Sequence, residues 1–379
     1  MKSIPSAAER TSFVQSLLQW FRITNRDLPW RRTYNPYHVW ISEIMLQQTQ
    51  MDRGVTYFLR WIKRFSDVQA VAVAEEQEIL KYWEGLGYYA RARNLHKAAK
   101  VIVGEFGGVV PCDYHRLLTL PGIGVYTAAA IASVAGNFDV AVLDANVARV
   151  YTRLYNLDTP VKEQKTQKRL REIAENLLPK GQARAYNQAL MDFGGLVCTP
   201  KNPHCVRCPV AASCRALHAG TVAGRPVLGP KKNMITVHKV AGFIRWKEKV
   251  FIQQRKAGDV WGGLWEFPGG EIAAGEGGAE GEPVVQVVSE ILQDTGLSVA
   301  LVKPLTRVMH QYTHHKIILH CFLCTLEGEK TEPMLRSACS FRWVLLDELT
   351  QFAFPAGPRK LIEYVRASQP EFLTGDVHS

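Results

Sequence analysis

The sequence has no uninterrupted apolar run that approaches the roughly 20 residues of a transmembrane helix. It also opens without the segments of a secretory signal peptide and without a long Arg-rich presequence. These absences predict a soluble protein of a reducing compartment, where disulfides are rare. With 379 residues, of which 47% are apolar, the chain is long enough for two domains with separate cores.

The second half of the chain lacks the excess of basic residues that marks the first half. Residues 1–220 contain 28 Lys and Arg against 18 Asp and Glu, a net charge of +10, whereas residues 221–379 contain 18 against 17, a net charge of +1. A basic surface in one half is expected for a protein that binds DNA, although a basic protein with no such partner has the same composition. We therefore expect a DNA-binding protein. The lack of a long Arg-rich presequence fits the bacterial cytoplasm, where we expect association with the nucleoid, and an organelle after processing stays open as an alternative.

The first 215 residues also lack a convincing strand pattern. Apolar residues recur there at helical spacing, which predicts helices at 8–21, 39–61, 75–83, 90–106, 125–135, 147–154, 166–178 and 183–196. The stretch 218–232 is rich in Gly and Pro and has the composition of a linker. Beyond it, alternating residues predict strands at 235–246, 249–255, 300–310, 315–326 and 341–345, with helices near 283–293 and 358–367.

Cysteine is scarce, but four of the eight cysteines form a C-x6-C-x2-C-x5-C run: Cys198, Cys205, Cys208 and Cys214. Four thiolates on one short segment can hold a four-iron iron–sulfur cluster. A zinc site and coincidence stay open as alternatives, although zinc usually takes two tight C-x2-C pairs, and disulfides need an oxidising compartment. Cys321 and Cys324 also form a C-x2-C, but residues three apart on a strand point to opposite faces, which argues against a shared metal.

The segment Leu120-Pro121-Gly122-Ile123-Gly124 connects two apolar helical segments. A turn with two glycines at a helix N-terminus leaves backbone N–H groups free to hold a phosphate. An ordinary helix–helix loop has the same pattern, so the segment alone is weak evidence for a phosphate-binding site.

Together, this hairpin, the aspartate some twenty residues later and the cysteine run resemble the endonuclease III superfamily of base-excision DNA glycosylases. The resemblance covers residues 8 to 216 and implies a four-iron four-sulfur cluster at the cysteines. Members that cut the DNA backbone carry a lysine two residues after the second hairpin glycine, where this chain has Tyr126. Since a phenol cannot form an imine, we expect no lyase activity with a lysine nucleophile.

Three further segments resemble the branch of this superfamily that removes adenine mispaired with 8-oxoguanine. They are Leu28 to Arg31, Trp40 to Gln50 and Gly85 to Tyr89. The resemblance implies that Gln48 and Tyr88 are wedges that fill the gap left by a flipped base. It also implies that the residues contacting DNA or base include Trp30, Arg31, Leu46, Thr49, Leu86, Gly122, Gly124 and Gln188.

Two carboxylates are candidates for the chemistry. Glu43 has apolar neighbours on its predicted helix, which would raise its pKa and keep it protonated, whereas Asp144 precedes a helix and, as an N-cap, would be favoured in its charged form. Such residues are ordinarily a solvated glutamate and a simple cap. By the resemblance, Glu43 is the acid that protonates adenine N7, Asp144 stabilises the oxocarbenium-like sugar, and Tyr126 supports the pair.

The C-terminal half lacks a complete metal–diphosphate signature. Residues 261–270 resemble the approach to a Nudix box, but twelve residues rather than seven separate Glu276 from Ser289, and Gln293 replaces a glutamate. We expect a Nudix-like scaffold that recognises 8-oxoguanine without hydrolysing nucleotides. By the resemblance, its recognition loop contains Tyr312, Thr313 and His314.

These observations predict a multidomain chain: an all-α endonuclease III-like domain at 1–216, with a helix-hairpin-helix at about 113–136 and an iron–sulfur loop at 198–214, then a linker at 217–233, an α+β Nudix-like domain at 234–368 and a tail at 369–379. We expect a monomeric, monofunctional glycosylase that excises adenine opposite 8-oxoguanine or guanine in double-stranded DNA. The alternatives are a related glycosylase of other specificity, a Nudix-type nucleotide hydrolase and a DNA-binding protein without activity.

Overall fold

The computed structural model describes residues 7–230, 233–272, 282–312 and 314–368, without the side chains of 282–285, 312 and 368. It divides into two compact units, one formed by Met1–Ala74 with Asn94–Lys231 and the other by Glu75–Arg93 with Lys232–Ser379. In the part of the chain that is described, no helix combines the length and the apolar character needed to cross a bilayer.

Residues 7–218 form helices joined by loops, as predicted. In chain order they are α1 (Ala7–Thr24), α2 (Pro29–Thr33), α3 (Pro36–Leu46), α4 (Met51–Arg64), α5 (Val68–Val73), α6 (Glu76–Trp83), α7 (Ala90–Glu105), α8 (Tyr114–Leu118), α9 (Val125–Val134), α10 (Ala145–Leu154), α11 (Gln164–Leu177), α12 (Ala183–Leu196) and α13 (Arg215–His218).

The core of the first unit lies where α1, α10, α11 and α12 meet. Its large side chains include Phe13, Tyr151, Tyr186 and Phe193, each at most 2% exposed. The two tyrosine hydroxyls are 3.2 Å apart and share a hydrogen bond, so neither polar group is buried without a partner.

One predicted helix, 39–61, is wrong because a turn separates α3 from α4. Residues 47–50 form a turn in which Gln48 has a φ of 60°, a left-handed conformation that no continuous helix accommodates. The apolar spacing on both sides is helical, so periodicity alone did not reveal the break.

A six-stranded sheet organises the C-terminal part, in the order β3-β2-β1-β5-β4, with β6 also pairing with β2. The strands are β1 (Ile235–Trp246), β2 (Lys249–Arg255), β3 (Trp265–Glu266), β4 (Val299–Tyr312), β5 (His315–Leu326) and β6 (Ala338–Leu345), and the helices are α14 (Glu282–Thr295) and α15 (Ala356–Ser368). The parallel pair is β1 with β5, in which Val240 lies beside His320, and β4 is antiparallel to β5.

Apolar side chains cover both faces of this sheet, with α14 packed on one face and α15 on the other. Cys321 lies in the cluster on the α15 side and Cys324 in the cluster on the α14 side. The predicted opposite orientation of these two cysteines is therefore confirmed, and burial raises the pKa of each thiol to about 12.

Candidate active site

Glu43 lies on α3, a helix whose residues from Val39 to Met45 are all buried. The helix begins in place because Asn35 accepts a hydrogen bond from the Tyr37 amide at 2.9 Å and Pro36 occupies the first helical position. Glu43 is 8% exposed, and burial raises its pKa to about 7. The direction of this shift is the one expected for Glu43, and its role as the catalytic acid stays a prediction.

The residue that meets Glu43 is Tyr126, on the first turn of α9. Its hydroxyl donates a hydrogen bond to Glu43 Oε2 at 2.8 Å. Burial first, and the nearby Glu43 and Asp144 charges second, raise the pKa of Tyr126 well above its usual value, so the phenol keeps its proton. The hairpin before it turns at Gly122, where φ is 75° and an added Cβ would lie 2.6 Å from the Asn94 Cβ.

Asp144 is the N-cap of α10, as predicted. Its Oδ1 accepts the Val147 amide at 2.7 Å and its Oδ2 accepts the Asn146 side-chain amide at 3.1 Å. Burial nevertheless outweighs these bonds and the nearby Arg149 charge, so the pKa of Asp144 is raised rather than lowered. The Asp144 charge in turn raises the pKa of Glu43, so the protonation of Glu43 depends on whether Asp144 is ionised.

Arg31, a predicted pocket residue, is held by Asp192, which the sequence did not single out. Two parallel hydrogen bonds join the Arg31 guanidinium to the Asp192 carboxylate, at 2.7 and 3.0 Å, and Arg26 is a second partner of this carboxylate. Burial alone would raise the pKa of Asp192, but these arginines lower it. The charge of Arg31 also lowers the pKa of Glu43, so the ion pair lies within electrostatic reach of the candidate acid.

Both predicted wedges have a backbone conformation that is rare for residues other than glycine. Gln48 has a φ of 60° and Tyr88 a φ of 49°. Strain of this kind collects at functional sites, where the surrounding structure maintains it. Tyr88 and Leu86 belong to the second compact unit, and Gln48, Leu46 and Thr49 to the first.

The remaining predicted pocket residues are mostly buried. Trp30 is 4% exposed and packs edge-on against Phe58 at 5.0 Å between ring centres. Gln188 is 1% exposed and donates to the Arg184 carbonyl, while its Oε1 is buried and accepts no hydrogen bond within the described residues. Thr49 Oγ1 is in the same situation. Two buried polar atoms without a protein partner are available to a ligand.

The four clustered cysteines line a single cavity. Across residues 7–230, 233–272, 282–312 and 314–368, no three His, Cys, Asp or Glu side chains are close enough together to hold one metal ion. Arg153 donates to Cys198 Sγ at 3.3 Å, and Arg149 donates to the Cys198 carbonyl at 2.8 Å. These two buried arginines were not predicted, although basic residues four apart on an apolar helix were a visible signal.

In the C-terminal domain, a carboxylate of the incomplete Nudix box, Asp294, is hydrogen-bonded within the protein. Asp294 accepts hydrogen bonds from the Gln253 amide at 2.6 Å and from the Ser337 backbone at 3.1 Å. Glu276 and Thr313 lie outside the described residues, and nothing is described of the Tyr312 side chain. His314 is partly buried at the β4–β5 turn, with its ring 4.3 Å from that of His315.

The raised pKa of Glu43 gives a stability prediction. Between about pH 4.5 and pH 7 the folded protein keeps the Glu43 proton that the unfolded chain releases, so stability falls as pH rises through this window, by on the order of 3 kcal/mol. Glu43→Gln removes this dependence. We expect the variant to gain stability relative to the parent between pH 4.5 and pH 8 in thermal unfolding. Glu175→Gln, on the exposed side of α11, controls for the lost charge, and a constant difference across this range contradicts the prediction.

Comparisons with known proteins match two spans of the chain to two different families. Residues 41–176 match the HhH-GPD superfamily of base excision DNA repair proteins, and residues 240–364 match the NUDIX domain. The chain is 37% identical to the adenine DNA glycosylase of Buchnera aphidicola (subspecies Schizaphis graminum) over 68% of this chain and 74% of that protein. It is 30% identical to the human adenine DNA glycosylase over 98% of this chain and 77% of that protein.

Among solved structures, a thermostable thymine-DNA glycosylase superposes with a TM-score of 0.52 at 31% identity, covering 56% of this chain and 98% of that one. A non-covalent endonuclease III–DNA complex superposes with a TM-score of 0.50 at 21% identity, covering 57% and 98%. The second likeness concerns the fold alone, and it confirms the predicted helical architecture.

Proposed function

Because this chain belongs to the adenine DNA glycosylases, we propose that its substrate is double-stranded DNA in which adenine is mispaired with 8-oxoguanine or guanine. The chain is a DNA N-glycosylase of base excision repair. The observation that carries the catalytic proposal is the buried Glu43 carboxyl, whose pKa burial raises to about 7 and which accepts a hydrogen bond from Tyr126 at 2.8 Å. An acid whose pKa lies near the working pH is the most effective proton donor.

In the proposed reaction, Glu43 transfers its proton to N7 of the flipped adenine. The bond from the Tyr126 hydroxyl occupies Glu43 Oε2, which leaves Oε1 to carry the transferable proton. As the N-glycosidic bond breaks, its electron pair goes to the protonated base, and positive charge grows on the sugar. Water then adds to the anomeric carbon and gives a proton to the ionised Glu43 carboxylate, which yields free adenine, an abasic site with an intact backbone and a reprotonated Glu43.

Asp144 is proposed to stabilise the positive charge on the sugar. Two amide donors, the Val147 backbone and the Asn146 side chain, stabilise its ionised form, whereas Tyr126 is the one donor recorded to Glu43 among the described residues. The environments therefore favour ionisation of Asp144 before Glu43, even though burial raises both pKa values. A charged carboxylate that hydrogen bonds already hold in place needs little reorganisation during the reaction.

We propose that the four cysteines hold a four-iron four-sulfur cluster. A single zinc ion needs ligands at roughly 2.3 Å, whereas a four-iron cluster takes thiolates spread around a larger body. All four cysteines line one cavity, as the ligands of a single cluster would. Cys198, Cys205, Cys208 and Cys214 would hold this cluster, which would cross-link the loop, and the Arg149 and Arg153 charges beside Cys198 would offset the negative charge of the thiolates.

Replacing Cys208 with Ser is expected to lower the bound iron from about four atoms per chain and to loosen this loop. Iron content and the rate of proteolysis between Cys198 and Cys214 measure the two effects. The matched control is Cys339→Ser, an exposed cysteine of β6. Full iron content in the Cys208 variant, or bound zinc in the parent protein, contradicts the proposed cluster.

For the C-terminal domain, we propose recognition of 8-oxoguanine by the loop that includes Tyr312, Thr313 and His314. The bonds of Asp294 to Gln253 and Ser337 support loss of nucleotide hydrolysis, because they occupy a carboxylate that a magnesium site would need. We further propose that the enzyme acts as a monomer. We also propose that it works on chromosomal DNA at the bacterial nucleoid, in the cytoplasm.

The test is incubation of the purified chain with duplexes containing A:8-oxoG, A:G and A:C, followed by alkali. Strand breaks at the adenine of A:8-oxoG and A:G that require alkali support the proposal. Cleavage of a thymine-glycol duplex without alkali instead supports an endonuclease III-like specificity, and pyrophosphate release from 8-oxo-dGTP supports a nucleotide hydrolase.

A further inference from the structure

The loop of residues 85–88, which carries the proposed wedge Tyr88, lies in the same compact unit as the C-terminal sheet. Gly85, Gly87 and Tyr88 have positive φ values of 96°, 71° and 49°. Glycine adopts this conformation readily, but tyrosine does so at a cost, and it persists only where the surroundings determine it. The wedge therefore requires a support.

Part of the support comes from the segment itself. The Trp83 indole donates to the Gly87 carbonyl at 3.1 Å. Arg91 donates through Nη2 to the carbonyls of Leu86 and Gly87, at 3.1 and 3.0 Å. These bonds shape the turn, but they do not fix it to a larger body.

Both ends of the loop are attached to the C-terminal domain through Phe354. The Phe354 backbone N–H donates to Glu84 Oε1 at 3.0 Å, and its carbonyl accepts the Tyr89 hydroxyl at 3.1 Å. Glu84 immediately precedes the loop and Tyr89 immediately follows it, so both stems are bonded to the two polar groups of a single residue. Phe354 is fully buried and stacks on Phe267 at 5.7 Å, which anchors it in the sheet core.

Charge reinforces this attachment. Arg359, on α15, contacts Glu84 Oε1 through Nε and Nη2, both at 2.7 Å, and also donates to the Phe352 carbonyl at 2.7 Å. Lys81 bridges Glu84 Oε2 and the same Phe352 carbonyl. The side chains of Glu84 and Arg359 are 15% and 19% exposed, so water screens this pair less than a surface ion pair.

We propose that the Nudix-like domain positions the Tyr88 wedge by holding both stems of its loop through Phe354 and Arg359. Residues 75–93 lie within the span that matches the helical glycosylase family, yet they pack with the domain that matches the NUDIX family. Arg359 and Tyr89 are thus positioning residues for base flipping. This inference rests on the proposed function, because it takes Tyr88 as the wedge.

Single-turnover adenine release from an A:8-oxoG duplex, with 2-aminopurine beside the adenine as a reporter of unstacking, tests the inference on the full chain. Arg359→Met and Tyr89→Phe are each expected to slow the rate constant roughly tenfold and to weaken the fluorescence change, with the active fraction unchanged. Combined with Tyr88→Ala, neither is expected to slow release beyond Tyr88→Ala alone, because all three act through the same loop. Arg359→Lys is expected to restore part of the rate.

The matched control is Arg366→Met, which removes the exposed Arg366–Asp347 ion pair from the same helix. The inference is overturned if Arg359→Met or Tyr89→Phe slows release further in the Tyr88→Ala background, or if either variant has a smaller active fraction at an unchanged rate constant. The contacts of Phe354 and Arg359 would then serve only the stability of the fold. If Arg359→Met does not fold, Tyr89→Phe decides alone. A parent protein that releases no adenine contradicts the proposed function itself, and this outcome precedes any comparison of variants.

Discussion

Replacing Glu43 with Gln is expected to slow adenine excision by a factor on the order of 10³ while the protein still binds the mispaired duplex. Glutamine has nearly the same shape as protonated glutamate and can still accept a hydrogen bond from the Tyr126 hydroxyl. In the parent protein this hydroxyl lies 2.8 Å from Glu43 Oε2. It has no proton to transfer to the base. Single-turnover excision and a binding titration of the same A:8-oxoG duplex measure the two effects separately.

The parent enzyme is also expected to lose activity as the pH rises through the pKa of Glu43, which is about 7 before DNA binds. Glu175→Gln provides the control for loss of a carboxylate from the same unit. Should the Glu43 variant excise adenine at the parental rate, another group is the acid. Should it lose DNA binding in proportion to activity, Glu43 is a binding residue rather than a proton donor.

The sequence was sufficient for the parts of the fold that depend on local pattern. Strands β1, β2 and β5 match their predicted limits because each is rich in apolar residues and is bounded by polar turn residues. The short helices α2, α5 and α8 were not predicted, since five or six residues are too few to show a period. The break at Gln48 was hidden for a similar reason, because a turn of four residues leaves the apolar spacing on both sides unchanged.

The candidate site was only partly accessible to sequence reasoning. Glu43, Tyr126 and Asp144 were found through motifs, and the cap at Asp144 follows from its place before a helix. Its net pKa direction was not predictable, because it depends on how much protein covers the carboxylate. Asp192 was missed since its role depends on Arg26 and Arg31, which lie more than 160 residues away in the chain. The grouping of residues 75–93 with the sheet is likewise a long-range property.

Replacing Asp144 with Asn is expected to slow excision by about 10² to 10³, through loss of the charge that stabilises the sugar in the transition state. Asparagine is as good an N-cap as aspartate, so α10 keeps its start and the variant is expected to fold. The matched control is Asp113→Asn, which changes the carboxylate that caps α8 by accepting the Arg116 amide. Single-turnover rates on A:8-oxoG duplex, together with thermal unfolding of both variants, provide the measurement.

The Asp144 variant has a second consequence that a merely structural role does not predict. Because the Asp144 charge contributes to the raised pKa of Glu43, removing it is expected to lower that pKa. The residual activity then declines at a lower pH than the parental activity, since Glu43 loses its proton sooner. A pH–rate profile of the variant shows this as a shift of the basic limb to lower pH. An unshifted limb means that the two carboxyls titrate independently, and a parental rate means that the charge of Asp144 does not act on the sugar.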